Sequence, residues 1–96
     1  MTGALAQRFR SRPTTITAFR WTGQAFNDFP AWFQDHLVDN LAIVLPNGHL
    51  AVCPAGSPFQ KIPVPMGSWV IREPDNSGSY PCEPDIFEAR YEPVAE

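Results

Sequence analysis

No apolar run in this chain approaches the roughly 18 residues that a transmembrane helix needs. Residues 1–12 likewise lack the apolar stretch of a secretory signal, so a cytoplasmic setting is expected. Cysteine is scarce: Cys53 and Cys82 are the only two. No Cys-x-x-Cys pair occurs, which removes the usual zinc signature. His49 and Cys53 are four apart, but on a strand that spacing separates them by about 13 Å, too far to share an ion with each other. In a reducing compartment the cysteines read as packed thiols. No glycine-rich phosphate loop is present; the glycines in Pro46-Asn47-Gly48 and Ser77-Gly78 read as turn glycines. No base or orienting partner stands beside a candidate nucleophile, so a non-enzymatic chain without metal or cofactor is expected.

Acidic residues are missing from residues 1–27, which hold Arg8, Arg10, Arg12 and Arg20. Residues 28–96 hold all 10 acids of a chain whose net charge is -3. The stretch from Glu73 to Glu96 is the most acidic and could meet a basic partner surface. An acidic domain argues against nucleic-acid binding. If the arginine stretch is extended, Arg8, Arg10 and Arg12 point to one side, suited to phosphate or to a partner's carboxylates.

Ninety-six residues make one domain with a modest core. Residues 1–8 are expected to form a flexible arm. Proline is abundant, with 11 residues, and predicts short elements joined by stiff loops. Residues 14–21, rich in Thr, Ile, Phe and Trp, predict a strand. Ile16 and Ala18 face one way, Thr17, Phe19 and Trp21 the other, so an interior strand is expected. Asn27-Asp28-Phe29-Pro30 reads as a helix entry with Asp28 or a neighbour as cap. Phe29, Trp32, Phe33 and Leu37 then lie on one stripe of a helix of about ten residues, ending near Asn40. Residues 41–45 and 49–53 flank Pro46-Asn47-Gly48 and predict a hairpin. Lys61 to Val64 predicts a short edge strand, because Pro63 cannot donate to a central ladder. Strands are also expected at 69–72, 79–82 and 89–93, with one helical turn at 84–87. The expected fold is α+β: one helix packed on a twisted, mainly antiparallel sheet or open barrel.

Four segments carry a family likeness. They are Phe9 to Gly23, Phe29-Pro30 with Trp32-Phe33, Gly67 to Ile71, and above all Tyr80-Pro81-Cys82-Glu83-Pro84-Asp85-Ile86-Phe87-Glu88 with Arg90-Tyr91-Glu92-Pro93-Val94. Together they resemble a family of small, functionally uncharacterised bacteriophage and prophage proteins, whose central segment usually reads Pro-Gly-Asp-aromatic. Here Met66 and Ser68 replace the usual proline and acid. The resemblance implies a phage or prophage origin but names no activity; taken with the small size, the lack of catalytic groups and the uneven charge, it leads to the expectation of a phage accessory factor that binds a host protein, for instance to inhibit a defence system such as CRISPR-Cas. On this reading exposed aromatics and the 55–64 loop form the surface. The alternatives are a nucleotide-binding or sponge protein and a minor virion or assembly protein. In the nucleotide reading Phe59, Trp69 and Tyr80 stack on a base, Arg10 or Arg12 holds phosphate, and the site can lie between the subunits of a homodimer. The expected binding residues are therefore Arg10, Arg12, Phe59, Lys61, Trp69 and Tyr80.

Overall fold

The computed structural model describes residues 7–11, 14–55, 57 and 59–93, with side chains from residue 15 onward. Arg12 and most of the expected N-terminal arm lie outside the described residues. Gln7 and Arg8, assigned to that arm, belong instead to the first strand, β1 (Gln7–Ser11). The chain continues through β2 (Thr14–Arg20), a 3-10 turn (Phe26–Asp28) and α1 (Ala31–Val38). Next come β3 (Ala42–Val44), β4 (Leu50–Val52), β5 (Ile62–Val64) and β6 (Trp69–Arg72). It ends with β7 (Ser79–Cys82), α2 (Pro84–Arg90) and β8 (Glu92–Pro93).

The strands form two antiparallel sheets, a five-stranded one in the order β7-β6-β2-β1-β8 and a three-stranded one in the order β3-β4-β5. The α+β class holds, but one helix on a single sheet or open barrel does not. Two local features account for the difference. The expected single turn at 84–87 runs on to Arg90, with Pro84 in its first turn, Asp85 near its positive end and Arg90 near its negative end. The closing strand is thereby cut to two residues. The small sheet, in turn, stops at β5. Bonds from Leu45 N–H to His49 O (2.7 Å) and Cys53 N–H to Leu41 O (2.9 Å) fix the β3–β4 alternation. Ala51 therefore turns its backbone groups toward β3, and Pro63, opposite Ala51, has its donorless nitrogen on the outer edge.

The large sheet is covered on both faces. Ile16 and Ala18 of β2 join Ile71 and Phe87 in one buried cluster, under α2. Phe19 and Trp21 join Phe29, Phe33, Val70 and the inward side chains of the small sheet (Ala42, Leu50, Val52, Val64) in the other. The interior position expected for β2 follows from this, with β6 on one side and β1 on the other. The layers run α2, large sheet, then α1 together with the small sheet.

Helix α1 starts on Pro30, whose carbonyl accepts from Phe33 N–H (2.9 Å) and Gln34 N–H (3.0 Å). No side chain caps it; Asp28 lies in the preceding 3-10 turn, so its expected capping role is not observed. The stripe of Phe29, Trp32, Phe33 and Leu37 does face the core, and His36 shares that buried face. His36 Nε2 meets Asn76 Oδ1 at 2.8 Å, tying α1 to the β6–β7 turn.

The small sheet is fastened to β7 by Ser79 N–H donating to Cys53 O at 2.9 Å. Gly78 makes that approach feasible: a Cβ there would sit 2.4 Å from Cys53 O. Its role is thus close packing, and the left-handed residue of this turn is Asn76 (φ 63). Gly48 is the opposite case, with φ +85 and nothing within 4 Å. Gly78→Ala should therefore cost about 2–3 kcal/mol by forcing two backbones apart. Gly48→Ala should cost about 1–2 kcal/mol, from backbone strain alone. Denaturant unfolding of both variants checks the ranking; equal losses would remove the close-packing explanation.

Candidate functional site

Of the residues expected to bind a partner or a nucleotide, Phe59 and Lys61 lie apart from Trp69 and Tyr80. Arg10 pairs through its backbone with Thr15 on one side and Glu92 on the other. Trp69 is stacked on Phe87, ring centroids 4.2 Å apart and planes 3° from parallel. Tyr80 belongs to the same layer, packed with Tyr91 against the α2 cluster. One face of Trp69 is thus already occupied by a core ring, and Tyr80 is half-buried. Phe59 and Lys61 are exposed on the β4–β5 loop of the small sheet, which packs on the opposite face of the large sheet. The stack of Phe59, Trp69 and Tyr80 on one base is therefore not assembled.

A different grouping emerges around Phe59. Residues 41–71 contain none of the chain's acids and one formally charged side chain, Lys61. This segment makes the whole small sheet and leads into β6. Among the described residues, five of the eight large apolar side chains that are exposed belong to it: Ile43, Val44, Leu45, Phe59 and Met66. Phe59 is the extreme case, at 96% exposure. The inward face of the sheet carries Leu50, Val52 and Val64 into the core. The alternate positions Ile43, Ala51 and Pro63 lie side by side across the three strands on the other face. An uncharged surface with a protruding aromatic is the composition found at the centre of protein interfaces.

An apolar groove of about 240 Å³ lies where β4 begins and β5 ends, at the rim of the inward face. Trp21 and Leu50 line it, with His49 and the run from Pro63 to Met66. Met66 is 65% exposed. Ser68 is buried, and its N–H donates to Pro65 O at 3.0 Å. The groove was not legible as a site from sequence, because its walls come from three separate segments. The absence of acids across 41–71 was a readable signal for the surface as a whole.

Reactive groups are held in structural settings. Cys53 and Cys82 are thiols, Cys53 buried and Cys82 half-buried. The Cys82 thiol is pushed up by burial, with Arg90 opposing the shift and Glu83 reinforcing it. The hydrogen bond of His36 goes to an amide oxygen, Asn76 Oδ1, so it activates no hydroxyl or thiol. Among the described residues, no three His, Cys, Asp or Glu side chains gather to hold a metal. No described helix is long and apolar enough to cross a membrane. Asp75 has its carboxyl lowered by hydrogen bonds from the hydroxyl and backbone N–H of Ser77 (2.6 and 3.0 Å), which fix the β6–β7 turn.

Compared with known proteins, the chain matches no family model, no curated protein and no solved structure.

The α2 layer yields a pH prediction. Burial first, then the charges of Tyr91 and Glu73, raise the Tyr80 phenol to about 12. The unfolded phenol titrates near 10. Between these values the folded chain holds a proton that the unfolded chain has lost. Stability should therefore fall as pH rises from about 10 to about 12, and Tyr80→Phe should flatten that slope. Denaturant midpoints across this range test it; a wild-type slope unchanged in Tyr80→Phe would assign the alkaline loss to other groups.

Proposed function

We propose that this chain is a non-enzymatic protein-binding domain, a phage or prophage accessory factor that docks on a host protein in the host cytoplasm. The favoured target is a component of a host defence system, CRISPR-Cas being the leading example. The observation that carries the reading is Phe59, a phenyl ring 96% exposed in a segment, residues 41–71, that holds a single formally charged side chain. An exposed phenylalanine has no reason of stability to be there, since moving it out of water would be worth about 2–3 kcal/mol. A partner that buries it recovers that energy. Ile43, Leu45 and Met66, in the same acid-free segment, are exposed too, which suits a protein better than a nucleotide. The family resemblance supplies the phage setting, and the defence target rests on that setting.

The test is retention of a host protein by the tagged chain in host lysate, read by native mass spectrometry. Wild type should hold one host protein at fixed stoichiometry. Phe59→Ala should lose it, as expected of an interface hot spot worth about 2 kcal/mol or more. The side chain is solvent-exposed, so the variant should keep wild-type stability. Retention of nothing by wild type, or equal retention by the variant, would overturn the proposal.

A further inference from the structure

We infer that β3 is a docking edge: an extended segment of the bound protein adds to it as a fourth strand of the small sheet, pairing with the backbone of Val44. The inference rests on reading residues 41–71 as a protein-docking region and names the kind of segment that docks there.

The first argument is the backbone. β3 lies at one edge of the small sheet, with β4 on its other side. The bonds joining Leu41 to Cys53 and Leu45 to His49 commit the odd-numbered residues of β3 to β4. The even-numbered residues then aim their N–H and C=O groups away from β4. Ala42 is 2% exposed, so the open edge begins after it; Ile43, Val44 and Leu45 are 39%, 44% and 38% exposed. Val44 therefore offers one donor and one acceptor at an open edge, and among the described residues neither has a partner. Groups of this kind are what an added strand pairs with.

The second argument is the contrast with the other edges. Among the described residues the remaining edge strands are β5, β7 and β8, and each contains a proline: Pro63, Pro81 and Pro93. In β7, Ser79 sends its N–H outward to Cys53 O. Pro81, two residues on, faces the same way and has no donor to give. Charges stand beside two of these edges as well, Lys61 before β5 and Glu92 in β8. Prolines and charges protect an edge from added chains. β3 has neither: its three residues include no proline, and no charged residue occurs from Leu41 to Gln60.

The third argument concerns the occupant. A second copy related by a two-fold axis at Val44 would set its Pro46 against Ala42. Ala42 is already buried, and Pro46 leads into that copy's own β3–β4 turn, so such pairing stops at Val44. A linear segment carries no turn and can run on past Leu45. Its side chains on one face meet Ile43 and Leu45; those on the other meet Val44. The fitting segment is thus uncharged, apolar at alternate positions and free of proline opposite Val44.

A displayed library of short linear peptides, selected on the immobilised full chain, supplies the probe. Selected peptides should be uncharged and apolar at alternate positions. Binding of one should slow hydrogen exchange at the Val44 amide and give cross-strand nuclear Overhauser contacts to it. Val44→Pro, which removes the donor, should weaken binding about ten-fold or more. Val44→Lys, which keeps the donor but charges the edge, should weaken it too, while Ile86→Asp on α2 should bind as wild type does. Denaturant unfolding checks that each variant is folded, and the exchange measurement on wild type needs no variant. Failure to select any peptide would overturn the inference, as would a peptide bound as a helix or one that leaves Val44 exchange unchanged. The host-binding reading fails separately. A host protein lost by Phe59→Ala but kept by folded Val44→Pro overturns strand addition alone. Val44-dependent peptide binding by a chain that retains no host protein upholds the docking edge and removes the host-binding reading.

Discussion

Phe19 is the contact on which the rest of the structure is organised. Its ring lies 4.7 Å from Phe33, 5.5 Å from Phe29 and 5.8 Å from Trp32. Tilted and edge-on pairs of this kind add stabilisation beyond the area they bury. Three of these rings come from the α1 region and the fourth from near the end of β2, so the cluster clamps the helix to the sheet. Trp21 adds a further stack on Phe29 at 5.8 Å. Because β2 also sends Ile16 and Ala18 to the α2 face, one strand supplies the core on both sides. In a chain this small, with a limited core, such double use of one strand is an efficient way to bury apolar surface.

The small sheet depends on this clamp. Each of its strands has only three residues, too little for an independent unit. It is held by its inward side chains against the Phe19 cluster and by the Cys53–Ser79 backbone bond that Gly78 permits. On its other face Ile43 and Pro63 are open to solvent, while Ala51 between them is buried. The arrangement thus separates two surfaces by charge, an acidic one around α2 and a nearly neutral one around Phe59. Acids near the neutral surface would charge it and hinder apolar docking. Their absence from residues 41–71 suits a face that meets other proteins.

Much of the local structure was legible in the sequence. The hairpin around Pro46-Asn47-Gly48 follows from turn chemistry, and Gly48 takes the left-handed conformation that the turn requires. Pro63 marked an edge strand because proline cannot donate, and β5 is one. Alternation in residues 14–21 placed β2 in the interior. His36 fell outside the reading, although it lies seven residues after Phe29 and so belongs to the same stripe. Polarity masked its burial, which depends on an acceptor from Asn76, forty residues away. Gly78 was read as a turn glycine because the backbone that crowds it, Cys53, is remote in sequence.

The sequence by itself determined which segments become strands and helices, where they turn and which positions face inward. Those properties depend on backbone propensity, proline geometry and side-chain alternation, all local. Only the tertiary structure decided that the strands divide into two sheets, since pairing partners are chosen by long-range contact. It alone placed Trp69 and Tyr80 in the packing beneath α2 and left Phe59 exposed. Aromatic residues look alike in sequence whether they fill a core or a surface. The difference lies in which other layer covers them, and that is fixed only when β2, α1 and α2 have packed.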